Sequence, residues 1–202
     1  MLAGRLSDKM SSELGYYFCV MAELYFFMGG FIMEVTISKI NNEDLIQFKK
    51  DMQEAFQKGF EDVYGKTEGQ ILPEQDIDHS LNEQGAIAYK VVVEGQMVGG
   101  AVVVIDEKTQ HNHLHLLYVK YGTQAKGIGY TLWNRIEQLH PDTTIWETCT
   151  PYFEKRNIHF YVNKCGFHIV QYLREDNIKS QGDEEFIGDG GEGMFVFKKY
   201  MH

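Results

Sequence analysis

The chain has 202 residues, 44% hydrophobic and 13% aromatic, enough for the core of one compact domain and too apolar for an intrinsically disordered protein. Its formal net charge of −10 and its lack of a basic run argue against nucleic acid as a partner and against a role on anionic membranes. The three cysteines, an odd count without C-x-x-C spacing, predict neither a disulfide framework nor a zinc site and fit a reduced, cytoplasmic protein.

The N-terminal segment differs in composition from the rest. Residues 15–33 (GYYFCVMAELYFFMGGFIM) carry one charge, Glu23, and follow two basic residues, a layout shared by signal peptides and short membrane anchors. The central Glu23 and the lack of a small-x-small cleavage site argue against both. An upstream-extended start or a helix packed on the domain is the simpler explanation. We therefore predict an N-terminal extension at residues 1–32, one domain at 33–202, and no membrane partner.

The first half of this domain is predicted to consist mostly of strands. Alternating apolar positions and β-branched residues predict strands at residues 33–40, 86–93, 97–105 and 113–119. A helix over residues 44–60, capped by Asn41 or Asn42, follows the first strand. Residues 65–78 are predicted as a loop. The second and third strands meet at Glu94-Gly95-Gln96, which predicts a hairpin.

The second half alternates between helix and strand. Apolar spacing predicts helices over residues 127–140 and 154–165, and strands at 143–148, 167–173 and 194–200. A glycine-rich sequence, GDGGEG, separates the last two strands. The element order predicts an α/β (α+β) fold, with a mixed, mostly antiparallel central sheet of about six to seven strands flanked by helices.

The sequence Gln124-Ala125-Lys126-Gly127-Ile128-Gly129 lies between a predicted strand and a predicted helix. Glycines let the backbone approach a ligand closely, and the N–H groups and dipole of a helix start favour negative charge. This pattern predicts a pyrophosphate cradle, although the spacing fits neither the P-loop nor G-x-G-x-x-G. A tight strand-to-helix turn is the alternative.

Gln124, Gly127 and Gly129 resemble the Q/R-x-x-G-x-G/A signature of the GNAT acetyltransferase superfamily. A second motif of that superfamily follows about thirty residues downstream and comprises Asn157, Phe160, Tyr161, Gly166 and Phe167. The resemblance covers residues 33–200 and implies the GNAT fold. One departure is the spacing between Tyr161 and Gly166, which is five positions where the family more often has four.

The resemblance implies acetyl-CoA as cosubstrate. We expect no metal, because the sequence has no acidic or Cys third ligand near its alternating histidines. The implied cofactor-binding residues are Leu117, Tyr118, Val119, Gln124, Ala125, Lys126, Gly127, Ile128, Gly129, Tyr130 and Asn157. Backbone N–H groups of the turn would hold the pyrophosphate, with added positive charge from Lys126. The strand at 117–119 would pair with the pantetheine arm like an added strand. Asn157 would contact that arm, with an exposed polar residue near a helix start as the alternative.

Acetyl transfer needs an acid for the leaving thiolate and a base for the amine. Tyr161 resembles the family's general acid, and it lies four residues after Asn157, on the same helix face. A core aromatic with a satisfied hydroxyl is the alternative.

Three histidines alternate in the predicted strand that precedes the turn. His111, His113 and His115 share one strand face, and Leu117 and Val119 are expected to continue it toward the turn. His113-Leu114-His115 resembles a His-Leu-His pair of the serotonin N-acetyltransferases, which implies His113 or His115 as catalytic base. Half-exposed strand histidines, a metal site, and an amine deprotonated by solvent remain alternatives.

Two further residues lie on the fifth predicted strand. Glu147 would attract a cationic amine, or is a solvated strand charge. Cys149 lacks any feature that would lower its pKa, which favours direct transfer. The sequence thus predicts an N-acetyltransferase acting on a small-molecule primary amine, with a non-catalytic acyl-CoA sensor as the alternative. The resemblance also allows a homodimer.

Overall fold

A computed structural model of the chain describes residues 23–28, 31–123, 127–174 and 193–202, with side-chain surroundings from Val35 onward. The strands within these ranges are β1 (Glu23–Met28), β2 (Phe31–Lys39), β3 (Ala86–Val93), β4 (Gln96–Val104), β5 (His111–Val119), β6 (Ile145–Pro151), β7 (His168–Leu173) and β8 (Met194–Tyr200). The helices are α1 (Leu45–Tyr64), α2 (Glu74–Asn82), α3 (Ile128–Leu139) and α4 (Lys155–His159), the last continued by a π-helical turn at Phe160–Lys164.

The strands form one sheet in the order β1-β2-β3-β4-β5-β6-β8-β7. Every neighbouring pair is antiparallel except β5 and β6, which run parallel. The predicted mixed, mostly antiparallel sheet flanked by helices is therefore confirmed. The predicted hairpin between β3 and β4 is also confirmed, with positive φ at both turn residues, Glu94 (50°) and Gly95 (76°).

The additional strand β1 comes from the segment predicted as an N-terminal extension. Glu23–Met28 pairs along its whole length with β2, so this stretch is a strand and not the packed helix that the sequence allowed. Aromatic and large apolar residues favour extended backbone, and β2 offers a row of backbone groups to pair with. Among the described residues, no helix is both long and apolar enough to cross a membrane. The start of the domain at residue 33 stays a prediction.

The loop predicted over residues 65–78 is wrong in its last part, because α2 begins at Glu74. Pro73 precedes the helix with extended backbone, and Glu74 and Asp76 place negative charge in its first turn, which suits the helix dipole. Ile77 is fully buried and anchors the helix to the sheet.

The core has two parts, one on each face of the sheet. The face covered by α3, called the α3 face, packs large side chains such as Trp133, Trp146 and Phe197. The opposite face, called the α1 face, packs α1 and α2 through Phe48 and Ile77.

Candidate active site

The sheet opens between its two parallel strands. Among the described residues, the ladder between β5 and β6 ends at the pair His113 and Glu147. Beyond it, β5 still pairs with β4 and β6 with β8, which leaves a wedge between the two strands, called here the cleft. At its apex the Thr148 hydroxyl donates a buried 2.8 Å hydrogen bond to the Leu114 carbonyl. A side chain therefore bridges the strands where their backbones separate.

A β-bulge coincides with this opening. Val102 of β4 lies opposite Leu116, but the next residue, Val103, lies opposite Leu114. His115 is therefore the extra residue of β5. Leu114 packs on the α3 face and Leu116 on the α1 face, although residues two apart in a regular strand share a face. The bulge switches the side-chain alternation of the strand.

The switch corrects one expectation about β5. Leu117 and Val119 were expected to continue the face of the histidines, but both pack on the α3 face. Tyr118 lies on the α1 face instead, with its ring 5.4 Å from that of Phe48. Residues 117–119 therefore border the cleft with their backbone edge and not with their side chains.

The histidines form a row of ring contacts along β5. His111 and His113 are stacked, with ring centroids 5.1 Å apart, and His113 meets His115 edge-on at 6.1 Å. Burial lowers the pKa of both His113 and His115 from the ordinary value, although Glu147 opposes this for His113 and Glu83 opposes it for both. Both rings are therefore neutral near pH 7 and able to accept a proton.

Glu147 is held at the closed end of this row. Its carboxylate accepts a hydrogen bond from His111 Nε2 at 2.9 Å and lies 3.0 Å from Lys198 Nζ of β8. Burial alone would raise the pKa of Glu147, but the hydrogen bond and charge of Lys198, with His113 and His111, hold it below the ordinary value. Glu147 is therefore ionised, and Lys198 already balances its negative charge.

Tyr161 approaches the cleft from the α3 face. The side chain is buried between Phe167 and Phe197, with ring centroids at 5.7 and 5.5 Å, and its hydroxyl is hydrogen-bonded to Thr148. Burial raises the pKa of Tyr161, a shift that the hydrogen bond to Thr148 opposes. The phenol is therefore protonated at neutral pH. The ring of Tyr161 lies in the core and its hydroxyl lies at the cleft apex. The two interpretations of this residue, core aromatic and general acid, are therefore compatible.

The unusual spacing after Tyr161 is taken up by the π-helical turn. The backbone N–H of Cys165 bonds the carbonyl of Phe160, five residues earlier, at 3.0 Å. One extra residue thus fits within a single wide turn. Asn157 reaches the same strand as Tyr161, since its Nδ2 donates to Thr150 Oγ1 at 3.2 Å.

The predicted cradle is described in part, because Gln124, Ala125 and Lys126 lie outside the described residues. Gly127 adopts left-handed backbone (φ 74°, ψ 1°) at the start of α3, and no side chain caps this helix through a hydrogen bond within the described residues. The N–H groups of its first turn therefore have no intrahelical acceptor and suit an anion.

The first residues of α3 divide their side chains between core and surface. Ile128 is buried on the α3 face, and Tyr130 is 43% exposed. A Cβ at Gly129 would lie 3.3 Å from Val119 and 3.5 Å from Phe160, so glycine brings α3 close to β5 and to the π-helical turn. The uncapped start of α3 therefore lies close to the end of β5.

Cys149 is an unsuitable nucleophile. Burial raises the pKa of its thiol to about 11, with Glu147 contributing in the same direction. In the part of the chain that the structure describes, no group of three His, Cys, Asp or Glu residues is arranged to hold a metal ion.

Sequence reasoning missed three residues of this region. Thr148, Glu83 and Lys198 carry no motif, and each becomes relevant only because the fold brings it to the cleft or to the histidine row. The adjacent Leu116 and Leu117 were the one available signal of the bulge, since two neighbouring large apolar residues break a strict alternation.

Comparisons with known proteins agree with this geometry. The sequence model of the acetyltransferase (GNAT) family matches residues 49–167, more than half of the chain. The Uncharacterized protein YrkN of Bacillus subtilis (strain 168) is 47% identical over 176 residues, covering 83% of this chain and 94% of that protein.

Solved structures resemble the fold at low sequence identity. The ribosomal-protein-S18-alanine N-acetyltransferase of Escherichia coli superposes with a TM-score of 0.62 at 15% identity, over 82% of this chain and 93% of its own. A GNAT family acetyltransferase of Elizabethkingia anophelis with acetyl-CoA bound gives 0.60 at 16% identity, over 83% and 98%. The family match and the shared fold lead to one conclusion: this chain belongs to the acetyltransferase (GNAT) family.

Proposed function

We propose that this protein is an N-acetyltransferase that moves the acetyl group of acetyl-CoA directly onto a primary amine. The observation that carries the proposal is the cleft apex. There the backbones of β5 and β6 separate, and the Tyr161 hydroxyl meets Thr148, the residue after the Glu147 that pairs with His113. Family membership supplies the reaction class, and these residues supply the acid and base that it needs.

The cofactor would enter from the α3 face. Acetyl-CoA, when bound, supplies an acetyl group already activated as a thioester. The first-turn N–H groups after Gly127 would hold its pyrophosphate, so that an acidic protein binds an anion through its backbone. The backbone edge at residues 117–119 would pair with the amide-bearing arm.

Tyr161 would act as general acid. Because burial keeps the phenol protonated, its proton is available to a leaving thiolate, and Thr148 orients the hydroxyl. A histidine of the row would accept the proton of the attacking amine, since His113 and His115 are neutral near pH 7. Cys149 stays protonated, with a pKa of about 11, which favours direct transfer over an acyl-enzyme.

The acceptor is the least specified partner. The net charge of −10 favours a small cationic amine, which the protein as a whole attracts. The E. coli neighbour is, by its name, an enzyme that acetylates an alanine of a ribosomal protein. An amine panel for this protein therefore includes polyamines, arylalkylamines, amino acids and short peptides with free N-termini.

The first test is calorimetric titration with acetyl-CoA. We expect the native chain to bind it in the micromolar range and Gly127→Glu to lose more than 100-fold in affinity, because a carboxylate there repels the pyrophosphate. Gly95→Glu is a matched control, since Gly95 has nearly the same φ (76° against 74°) but lies in the β3–β4 turn, where an added Cβ would meet no atom within 4 Å.

If Gly127→Glu and Gly95→Glu bound acetyl-CoA equally well, the start of α3 would not be the pyrophosphate site. Tight acetyl-CoA binding without transfer to any amine of the panel would leave the non-catalytic acyl-CoA sensor as the better description.

A further inference from the structure

The last turns of α1 lie outside the core that anchors this helix. The buried residues of α1 end at Ala55, and none of residues 56–64 is buried. Nearer the core, the buried Asp51 places Oδ1 3.0 Å from Nζ of Lys120, the residue that follows β5. An ion pair therefore ties α1 to the end of β5, and the position of its last turns depends on contacts other than core packing.

These last turns contact the chain just after both strands that border the cleft. Asp62 Oδ1 accepts a 3.3 Å hydrogen bond from the hydroxyl of Tyr121, two residues after β5. The Tyr64 hydroxyl donates to the carbonyl of Phe153, two residues after β6, at 2.8 Å, and the two rings meet edge-on at 5.4 Å. Beyond the apex, no backbone pair joins β5 to β6 in the described ranges. The two strand ends are thus tied to one helix instead of to each other.

Helix α4 contacts the same part of α1. A Cβ added at Gly59 would lie 3.5 Å from the guanidinium of Arg156, so α4 lies against α1 near these two hydrogen bonds. The cleft is therefore held at two levels. Thr148 joins the strands at the apex, and α1 joins their ends at the opposite side of the cleft, called here the mouth.

The width of the mouth matters for a ligand that lies between the strands. Neighbouring strands are about 4.8 Å apart, so an extended arm that pairs with β5 and leaves room for β6 needs a gap of about 9.6 Å. A hydrogen bond of about 2.9 Å is lost when its atoms move to about 3.6 Å, so the edge at residues 117–119 tolerates only small shifts. The contacts of α1 lie where they can hold this gap.

We propose that Tyr64 and Asp62 are positioning residues for cofactor binding. They hold the ends of β6 and β5 at the separation that the amide-bearing arm of acetyl-CoA needs, and neither has to touch the cofactor. The proposal rests on the proposed binding of acetyl-CoA and adds a role for α1 in it. It predicts that changes at these residues weaken binding of the arm and leave binding of the pyrophosphate unchanged.

The first experiment compares two ligands by calorimetry. Acetyl-CoA carries the arm, whereas adenosine 3′-phosphate 5′-diphosphate carries the nucleotide and the pyrophosphate without it. We expect Tyr64→Phe to weaken acetyl-CoA binding about fivefold through the lost hydroxyl, and Tyr64→Ala about 20-fold through the lost hydroxyl and ring. Binding of the nucleotide without the arm should stay within about twofold in both variants.

The control variants test position and chemistry. Tyr200→Ala should leave both affinities unchanged, since Tyr200 is also exposed but pairs with Ile145, where β5 and β6 are still joined. On the β5 side, Asp62→Ala should weaken acetyl-CoA binding about threefold. Asp62→Asn should restore the affinity, because its amide oxygen can still accept from Tyr121.

The second experiment needs neither cofactor nor turnover. Hydrogen exchange of the full chain without ligand is followed by mass spectrometry in peptides that cover residues 117–121, 151–154 and 111–113. We expect Tyr64→Ala to speed exchange about tenfold at the two strand ends, because they lose their common support, and to leave the paired residues 111–113 unchanged.

The outcomes separate this proposal from the proposed function. Unchanged exchange at both strand ends, or equal losses of affinity for the two ligands, overturns the role of Tyr64 and Asp62. If the native chain does not bind acetyl-CoA, the proposed function fails and the cofactor role of α1 fails with it. The exchange experiment then still decides whether α1 holds the strand ends.

Discussion

The two halves of β5 are held in place by different forces. In the first half, His111 and His113 lie in a backbone ladder with β6, and Glu147 ties β6 to His111 and to Lys198. Within the described ranges, the second half of β5 pairs with β4 alone, and the Thr148 hydroxyl rather than a backbone group bridges the gap at its start.

The comparison shows how one strand supports both rigidity and binding. Backbone donors and acceptors that are paired within a sheet cannot serve a ligand, whereas the unpaired edge beyond His113 can. The bulge at His115 marks the boundary between the halves. Substitutions in the open half should therefore change catalysis, and substitutions in the closed half should change stability.

The largest effect is expected from Tyr161→Phe, at the cleft that borders the open half of β5. We expect kcat to fall about 100-fold, close to 2.7 kcal/mol of transition-state stabilisation, because the leaving thiolate loses its proton donor. The affinity for acetyl-CoA in calorimetry should stay within about twofold, since the phenyl ring still fills the space between Phe167 and Phe197.

Tyr89→Phe is the matched control for this variant. Tyr89 is also a buried tyrosine of the α3 face, but its hydroxyl bonds His140 Nε2 at 2.9 Å, away from the cleft. Comparable losses of kcat in both variants would mean that Tyr161 acts through packing and not as an acid.

A smaller effect is expected at the boundary, from Thr148→Val. The change leaves the buried Leu114 carbonyl without its side-chain donor, and we expect the free energy of unfolding to fall by about 2 kcal/mol in urea titrations. Thr144→Val is the control, because its hydroxyl also donates to a carbonyl, that of Gln110, but at an exposed site. If the control loses as much stability, the bridge has no special role in joining the strands.

The smallest effect is expected from Glu147→Gln, on β6 opposite the closed half of β5. The pKa of Glu147 is held below its ordinary value of 4.5, so its charge stabilises the folded state above that pH and stops doing so as the pH falls through the lowered value. We expect the variant to lose up to about 1 kcal/mol at pH 7 and progressively less in acid.

Urea unfolding at a series of pH values measures this difference. Glu107→Gln, which alters an exposed carboxylate after β4, should show no such pH-dependent gap. A deficit in Glu147→Gln that persists unchanged well below pH 4.5 would contradict the electrostatic explanation.

Much of this arrangement was predictable from the sequence, because local patterns determine it. The hairpin at Glu94-Gly95, the helix α3 and the succession of strands and helices along the chain follow from turn residues and apolar spacing. The start of α2 was missed although Pro73 and the acids after it are helix-start signals, since the polar segment shows only a short apolar repeat.

The geometry of the cleft was less accessible. A period-2 pattern assumes uninterrupted alternation, so the bulge at His115 led to the wrong face for Leu117 and Val119. The contacts of Thr148 and Glu83 join residues 34 and 32 positions apart in sequence. Such contacts depend on the tertiary arrangement, and no short motif encodes them.

The π-helical turn after Phe160 also bears on how this region tolerates changes in length. Five positions between Tyr161 and Gly166 are accommodated where four are more common in the family, and the bond from Cys165 N to the Phe160 carbonyl absorbs the difference. The insertion is confined to one turn, so Tyr161 still reaches Thr148 and β7 still pairs with β8. An extra residue at this point changes the helical pitch of one turn only. The position of the Tyr161 hydroxyl therefore does not depend on the length of this segment.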